Sequence, residues 1–261
     1  MSFEKEGFLC QEAEQYKSKI INDNKELFNL CFELNTLAHA SKYDLQIHNQ
    51  EAQEMMLGCL MIRLLNNFQG IVILSNYGLV VEAKILLRSM LETLFILKIC
   101  CEDKDFIDKY IKSDQVYRYK LLNIPRNNPD HIFDALREYA TEDIKKQDKD
   151  NIKVNNIEGF EIYELAEKAG LKSHYDSAYR LLCNTSHSGV RSLEEYLVLD
   201  ERSEVRILNS GPIEKDFDLV LITAMDNLCL GLFCIFAFFK VDKLSMIEEF
   251  RKRIIQLKTE N

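Results

Sequence analysis

The chain has 261 residues, with 42 acidic against 33 basic side chains and a formal net charge of −9. That balance argues against broad, non-specific attraction to nucleic acid, and no DNA partner is expected, although a small basic pocket could still grip one phosphate. Nine Gly, three Pro and no Trp in so long a chain point to helices, not to a turn-rich sandwich.

Residues 3–39 read as one long amphipathic helix, its later apolar face marked by Phe28, Leu30, Cys31, Leu34 and Leu37. After a break near A-H-A-S-K-Y-D-L, a second helix is expected from about Asn49 to Ser75, carrying Arg63 and Asn67 four residues apart. Ser75-Asn76-Tyr77-Gly78 reads as a turn, with Gly78 suited to a positive φ. The stretch Tyr77 to Cys101 is apolar on nearly every side and is expected to be the central helix. So short a connection makes the second and third helices an antiparallel hairpin.

The acids of E-D-K-D open a further helix that is expected to end before Pro125, followed by a loop over 124–131. A polar helix is expected over 132–149, and a short one over 160–169 that Gly170 ends. Ser173 reads as the N-cap of the next, with Asp176 as its capping-box partner. That helix is expected to fray between Thr185 and Gly189. A short strand pair is considered within 198–212, then a very apolar helix over 217–239 and a C-terminal helix. The 217–239 stretch has the length of a membrane span, but Asp226 and Asn227 in its middle favour a buried core helix. The fold expected is therefore an all-α multi-helix bundle, a single domain over 1–261 organised on the hairpin of about 50–101. Within it 1–45 would be the N-terminal helix, 46–240 the core bundle and 241–261 the C-terminal helix.

The eight cysteines include no C-x-x-C pair, and six lie in apolar runs, so they read as reduced core residues of a cytoplasmic protein. The acidic N-terminus has no apolar region typical of a secretory signal. No histidine pair has metal-ligand spacing, and no Gly-rich phosphate loop occurs, so neither metal nor cofactor is expected.

The central helix carries Lys84, Arg88 and Glu92 at successive spacings of four, which stacks them on one stripe. Buried charge must be paired, so this stripe is either a structural network or part of a ligand site. His187, in C-N-T-S-H-S-G, is the candidate general acid or base. Two spacings, Arg180 to His187 and Arg126 to His131, resemble the arginine–histidine pair of metal-independent RNA cleavage. His187 is the preferred one, because Pro129 places the other in a loop.

G-L-V-V-E-A-K-I-L-L-R-S-M-L-E, followed much later by Y-R-L-L-C-N-T-S-H-S-G, resembles the bacterial domain-of-unknown-function family 5677. Its matching positions would be Arg88, Ser89 and Glu92, then Tyr179, Leu182, Cys183, His187 and Ser188. The family usually has Gly after the His. Such proteins are in turn distantly similar to HEPN helical bundles and abortive-infection proteins, which implies RNA cutting in defence against phage, across a homodimer. On that reading His187, Arg180 and Glu92 are catalytic, and Arg88, Asn184, Tyr179 and Arg63 bind a nucleotide or RNA phosphate. The competing reading is a non-enzymatic binding module in which Arg88, Glu92 and His187 only fix the helices.

Overall fold

A computed structural model describes residues 2–260, apart from the side chains of Arg126 and Glu260. It is an all-helical bundle with one small antiparallel strand pair. In chain order the helices are α1 (Phe3–Glu6), α2 (Gln11–Asp23), α3 (Lys25–Ser41), α4 (Ala52–Asn76), α5 (Val80–Glu102), α6 (Lys104–Asn127), α7 (Asp134–Tyr139), α8 (Glu142–Val154) and α9 (Ile162–Lys168). There follow α10 (Lys172–His174), α11 (Arg180–Ser186), α12 (Val190–Leu193), strands β1 (Leu197–Leu199) and β2 (Val205–Leu208), α13 (Phe217–Phe239) and α14 (Leu244–Glu260).

The centre is the α4–α5 hairpin, on which α13 packs along both helices. Its turn depends on Gly78, whose φ is +73° and where a Cβ would lie 2.6 Å from Pro212 Cβ. Only glycine meets both demands without strain. Phe28, Phe68, Phe95 and Phe236 are completely buried in one continuous apolar cluster that runs from α2 to α14. Helices α6, α9 and α11 lie against α5 and cover its other side.

Local chemistry changes some expected boundaries. The N-terminal stretch is broken twice, by a 3-10 turn at Gly7–Leu9 and at Asn24, whose side-chain amide donates to Ile20 O at 3.0 Å. Pro125 does not end α6, which continues to Asn127, because Arg137 donates to the carbonyls of Pro125 and Asn128 that the helix end leaves open. The polar segment expected over 132–149 divides at Ala140–Thr141, where Thr141 Oγ1 caps α8. Ser173 is no cap but lies inside α10, while Asp176 pairs with Lys172 at 2.6 Å.

Helices α4 and α13 are both long and apolar enough to cross a membrane. In α13 two thirds of the most apolar window is buried within the protein, against 44% in α4. The outer side of α4 is thus unusually apolar for a solvent-facing surface.

Candidate functional site

The charged stripe of α5 separates into two units. Lys84, 9% exposed, places Nζ 2.8 and 2.9 Å from the two Glu195 oxygens and 3.3 Å from Asp216 Oδ2. One ammonium so satisfied by two carboxylates clamps the segment before β1 and the start of α13 onto α5. This lysine is occupied by structure.

One turn on, Arg88 Nη2 donates to Tyr179 Oη at 2.9 Å, and Tyr179 donates to Glu92 Oε1 at 2.7 Å. Arg88 also stands 3.3 Å from the same Glu92 oxygen. The proton order is fixed, because a guanidinium has no acceptor and a carboxylate no donor, so the hydroxyl proton must point to Glu92. Tyr179 reaches this position at the end of a π-turn, Tyr175–Tyr179, that leads straight into α11. Such turns displace one side chain from the regular helical spacing and recur at functional sites. Burial, reinforced by the bond to Glu92, holds the Tyr179 hydroxyl well above the ordinary phenol range. Burial alone would lower the Arg88 pKa, but the Tyr179 hydrogen bond and the neighbouring Tyr179 and Glu92 more than offset it. Arg88 Nε is buried without a partner among the described residues.

Glu92 is also in the lining of an open cleft of about 660 Å³ between α4, α5, α6 and the segment that enters α9. Arg63 of α4 and Lys120 of α6 are in its lining, both exposed, and neither makes a hydrogen bond or ion pair among the described residues. Tyr110, Tyr117 and Phe160 supply aromatic surface, and the Tyr110 and Phe160 rings lie 6.2 Å apart. Burial raises the Tyr110 pKa, and Arg63 partly opposes this. Two unpaired cations beside aromatic rings are the elements used to hold a phosphate and stack a base.

The expected site residues therefore fall in four places. Arg63 and Glu92 are in the cleft, and Arg88 and Tyr179 form the relay with Glu92. Asn184 belongs to a separate cleft of about 430 Å³ beside Lys84 and Arg191. Arg180 and His187 are exposed, and no hydrogen bond or ion pair joins either side chain to Glu92 or to the other among the described residues. Spacings of four and three put Arg180, Asn184 and His187 on one outward helix stripe. His187 is the C-cap residue of α11, and Ser188, not a glycine, takes the positive φ of 51°. Gly189 then provides the close approach: a Cβ there would lie 1.7 Å from Asn184 Oδ1. The side chain of Arg126 lies outside the described residues, and His131 is 97% exposed beside Asp134.

Sequence reasoning missed Lys120, Tyr110 and Phe160. A signal did exist: Tyr110, Asp114, Tyr117 and Lys120 recur at spacings of four, three and three along α6. Among the described residues no three His, Cys, Asp or Glu side chains converge as a metal site.

A family model described as a family of unknown function (DUF5677) matches residues 54–204. No curated protein and no solved structure matches.

Proposed function

The chain belongs to this DUF5677 family, and from that premise we propose that it is a nucleotide- or RNA-phosphate-binding protein of the cytoplasm, its ligand held in the α4–α5–α6 cleft. One observation supports this above all: among the described residues Arg63 and Lys120 are cations without carboxylate partners, in a protein where acids outnumber bases. An acidic chain has carboxylates to spare for structural pairing, and Lys84 and Arg88 both have theirs. Arg63 and Lys120 are free to meet a phosphate, while Tyr110 and Phe160 offer faces for a base. The test is binding of a labelled single-stranded oligoribonucleotide. Arg63→Ala with Lys120→Ala should weaken it at least tenfold and flatten its salt dependence. Equal affinity of the double variant and the wild type would rule the cleft out.

A second reading, a metal-independent ribonuclease acting in phage defence or toxicity, is favoured by Arg180, Asn184 and His187 on one stripe, whose side chains have no hydrogen bond or ion pair among the described residues. There His187 would move the proton and Arg180 would face the phosphate. Expression of wild type beside His187→Ala, scored for growth, total-RNA integrity and soluble yield, decides it. Intact RNA in both cultures would remove this reading and leave the binding one standing. The non-enzymatic network reading draws its support from Arg88, Tyr179 and Glu92 alone, because His187 makes no bond to them.

A further inference from the structure

The outward side of α4 carries Met55, Cys59, Ile62, Asn66 and Ile73, all exposed, with Met55 at 45%, Ile62 at 40% and Ile73 at 56%. Half-buried Gln69, held by Asn35 at 2.9 Å, completes the series. The spacing is four, three, four, three, four, the period with which one helix meets another along a seam. At about 1.5 Å per residue the crest runs roughly 27 Å. From Met55 to Asn76 the only charged residue is Arg63, in a chain that carries 42 acids. Two apolar grooves lie alongside the crest. One, of about 450 Å³, is bordered by Ile47, Met55, Cys59 and Ile62; the other, of about 270 Å³, by Phe32, Gln69 and Ile73.

We propose that a second copy of this chain docks on this face, α4 against α4 in antiparallel sense, about a two-fold axis at the level of Asn66. A ridge beside a groove is self-complementary under two-fold rotation, since each copy's ridge enters the other's groove. Here one groove lies on either side of Asn66 along the helix, so Met55 to Ile62 of one copy fill the groove beside Ile73 of the other, and the reverse. Electrostatics select the same face. Two copies of net charge −9 repel, and a long strip without carboxylates is where they can approach. Gln69 is already engaged with Asn35, so Asn66 is the seam's exposed polar residue, and at the axis its amide donates to and accepts from the same amide of the second copy. An apolar partner or a lipid would leave it unpaired. Arg63 follows Ile62 on α4 and lines the phosphate cleft, so the second copy would border that cleft's rim. The dimer does not depend on what the cleft binds.

Analytical ultracentrifugation of the full chain at micromolar concentration tests it. A dimer is expected, and Ile62→Glu with Ile73→Glu, at exposed positions, should weaken association by about 100-fold with unchanged helical circular dichroism. Asn66→Cys in a Cys59→Ser background should give a covalent dimer with diamide, each thiol yielding one hydrogen to the oxidant. That crosslink decides the matter even if the glutamate variant fails to fold. A monomeric wild type, a dimer that survives both glutamates, or flotation of monomers with phosphatidylcholine–phosphatidylglycerol vesicles would overturn the proposal, the last in favour of lipid.

Discussion

Tyr179→Phe isolates the relay between α5 and α11, because it removes one oxygen and leaves the ring. That ring still packs on Tyr175 and Phe95, with centroids 5.0 and 6.2 Å away. Two charge-assisted hydrogen bonds disappear, the 2.9 Å bond from Arg88 and the 2.7 Å bond to Glu92. Each would contribute about 1.5–3 kcal/mol if fully buried. The Arg88 and Glu92 side chains are 22% and 30% exposed and keep their direct 3.3 Å contact, so water and that contact recover part of the loss. The expected cost is about 2 kcal/mol in urea unfolding at neutral pH, with an unchanged m-value. The pH dependence gives an independent sign. Tyr179's pKa is raised in the folded state, so its hydroxyl keeps its proton where an unfolded tyrosine, near pH 10, begins to lose it. The corresponding stability is complete below about pH 10 and is lost as pH rises toward the folded value. Wild type should therefore lose more stability above pH 10 than Tyr179→Phe, although Tyr16, raised by burial and then Glu214, keeps some slope in both. Equal stability and parallel alkaline profiles would show that the relay holds nothing together.

Three further perturbations probe the frame of the site. Lys84→Met leaves Glu195 and Asp216 without their cation and should cost about 2–3 kcal/mol in thermal unfolding, while adding Glu195→Gln should restore part of it. Gly78→Ala forces a Cβ against Pro212 at a φ of +73°, and about 3 kcal/mol of destabilisation is expected by urea titration. His174 has its pKa lowered by burial, which Asp226 only partly opposes. It therefore contributes stability above the ordinary imidazole range, near pH 6.5, that is lost as pH falls. His174→Gln should flatten the stability profile on the acid side of pH 6.5, measured by urea midpoints in steps of pH.

The α4–α5 hairpin was legible because its evidence is local: two long apolar runs and a Gly-containing turn lie within fifty residues. The strand pair was legible for the same reason, and the helix of 217–239 ends where its apolar run ends. The breaks at Asn24 and Thr141 were not, since each is decided by a single side chain that bonds its own backbone, against good helical periodicity on both sides. Pro125 misled because the carbonyls beyond it are satisfied by Arg137, ten or so residues away. In the site, the spacing of four correctly put Lys84, Arg88 and Glu92 on one stripe, but it carried no information on their partners. Glu195 lies 111 residues from Lys84 and Tyr179 91 from Arg88. A helix pattern reports which face is shared, while the identity of what meets that face is set by packing of distant elements.

The charge around the cleft bears on which phosphate it would suit. Arg63 and Lys120 are free, but Glu92 and Glu161 also line it, and Asp114 is held by Arg118 at 2.5 Å. Arg88 sits behind Glu92 and neutralises it from the protein side. With those pairs counted, two cations face one uncompensated carboxylate, Glu161, which is itself engaged in capping α9. The surplus is about one positive charge. A nucleoside triphosphate brings several negative charges, more than that surplus balances, and would set the rest against Glu161. A phosphodiester brings one. Its two free oxygens suit two separate cations, and the bases on either side have Tyr110, Tyr117 and Phe160 to meet. Within the proposed function, then, single-stranded RNA should bind more tightly than a free triphosphate, and Glu161→Gln should narrow that difference by relieving the triphosphate more than the diester. Competition of adenosine triphosphate against the labelled oligoribonucleotide, with and without Glu161→Gln, measures it directly. A triphosphate that displaces RNA at equal or lower concentration on the wild type would show that the cleft's charge balance does not govern its ligand.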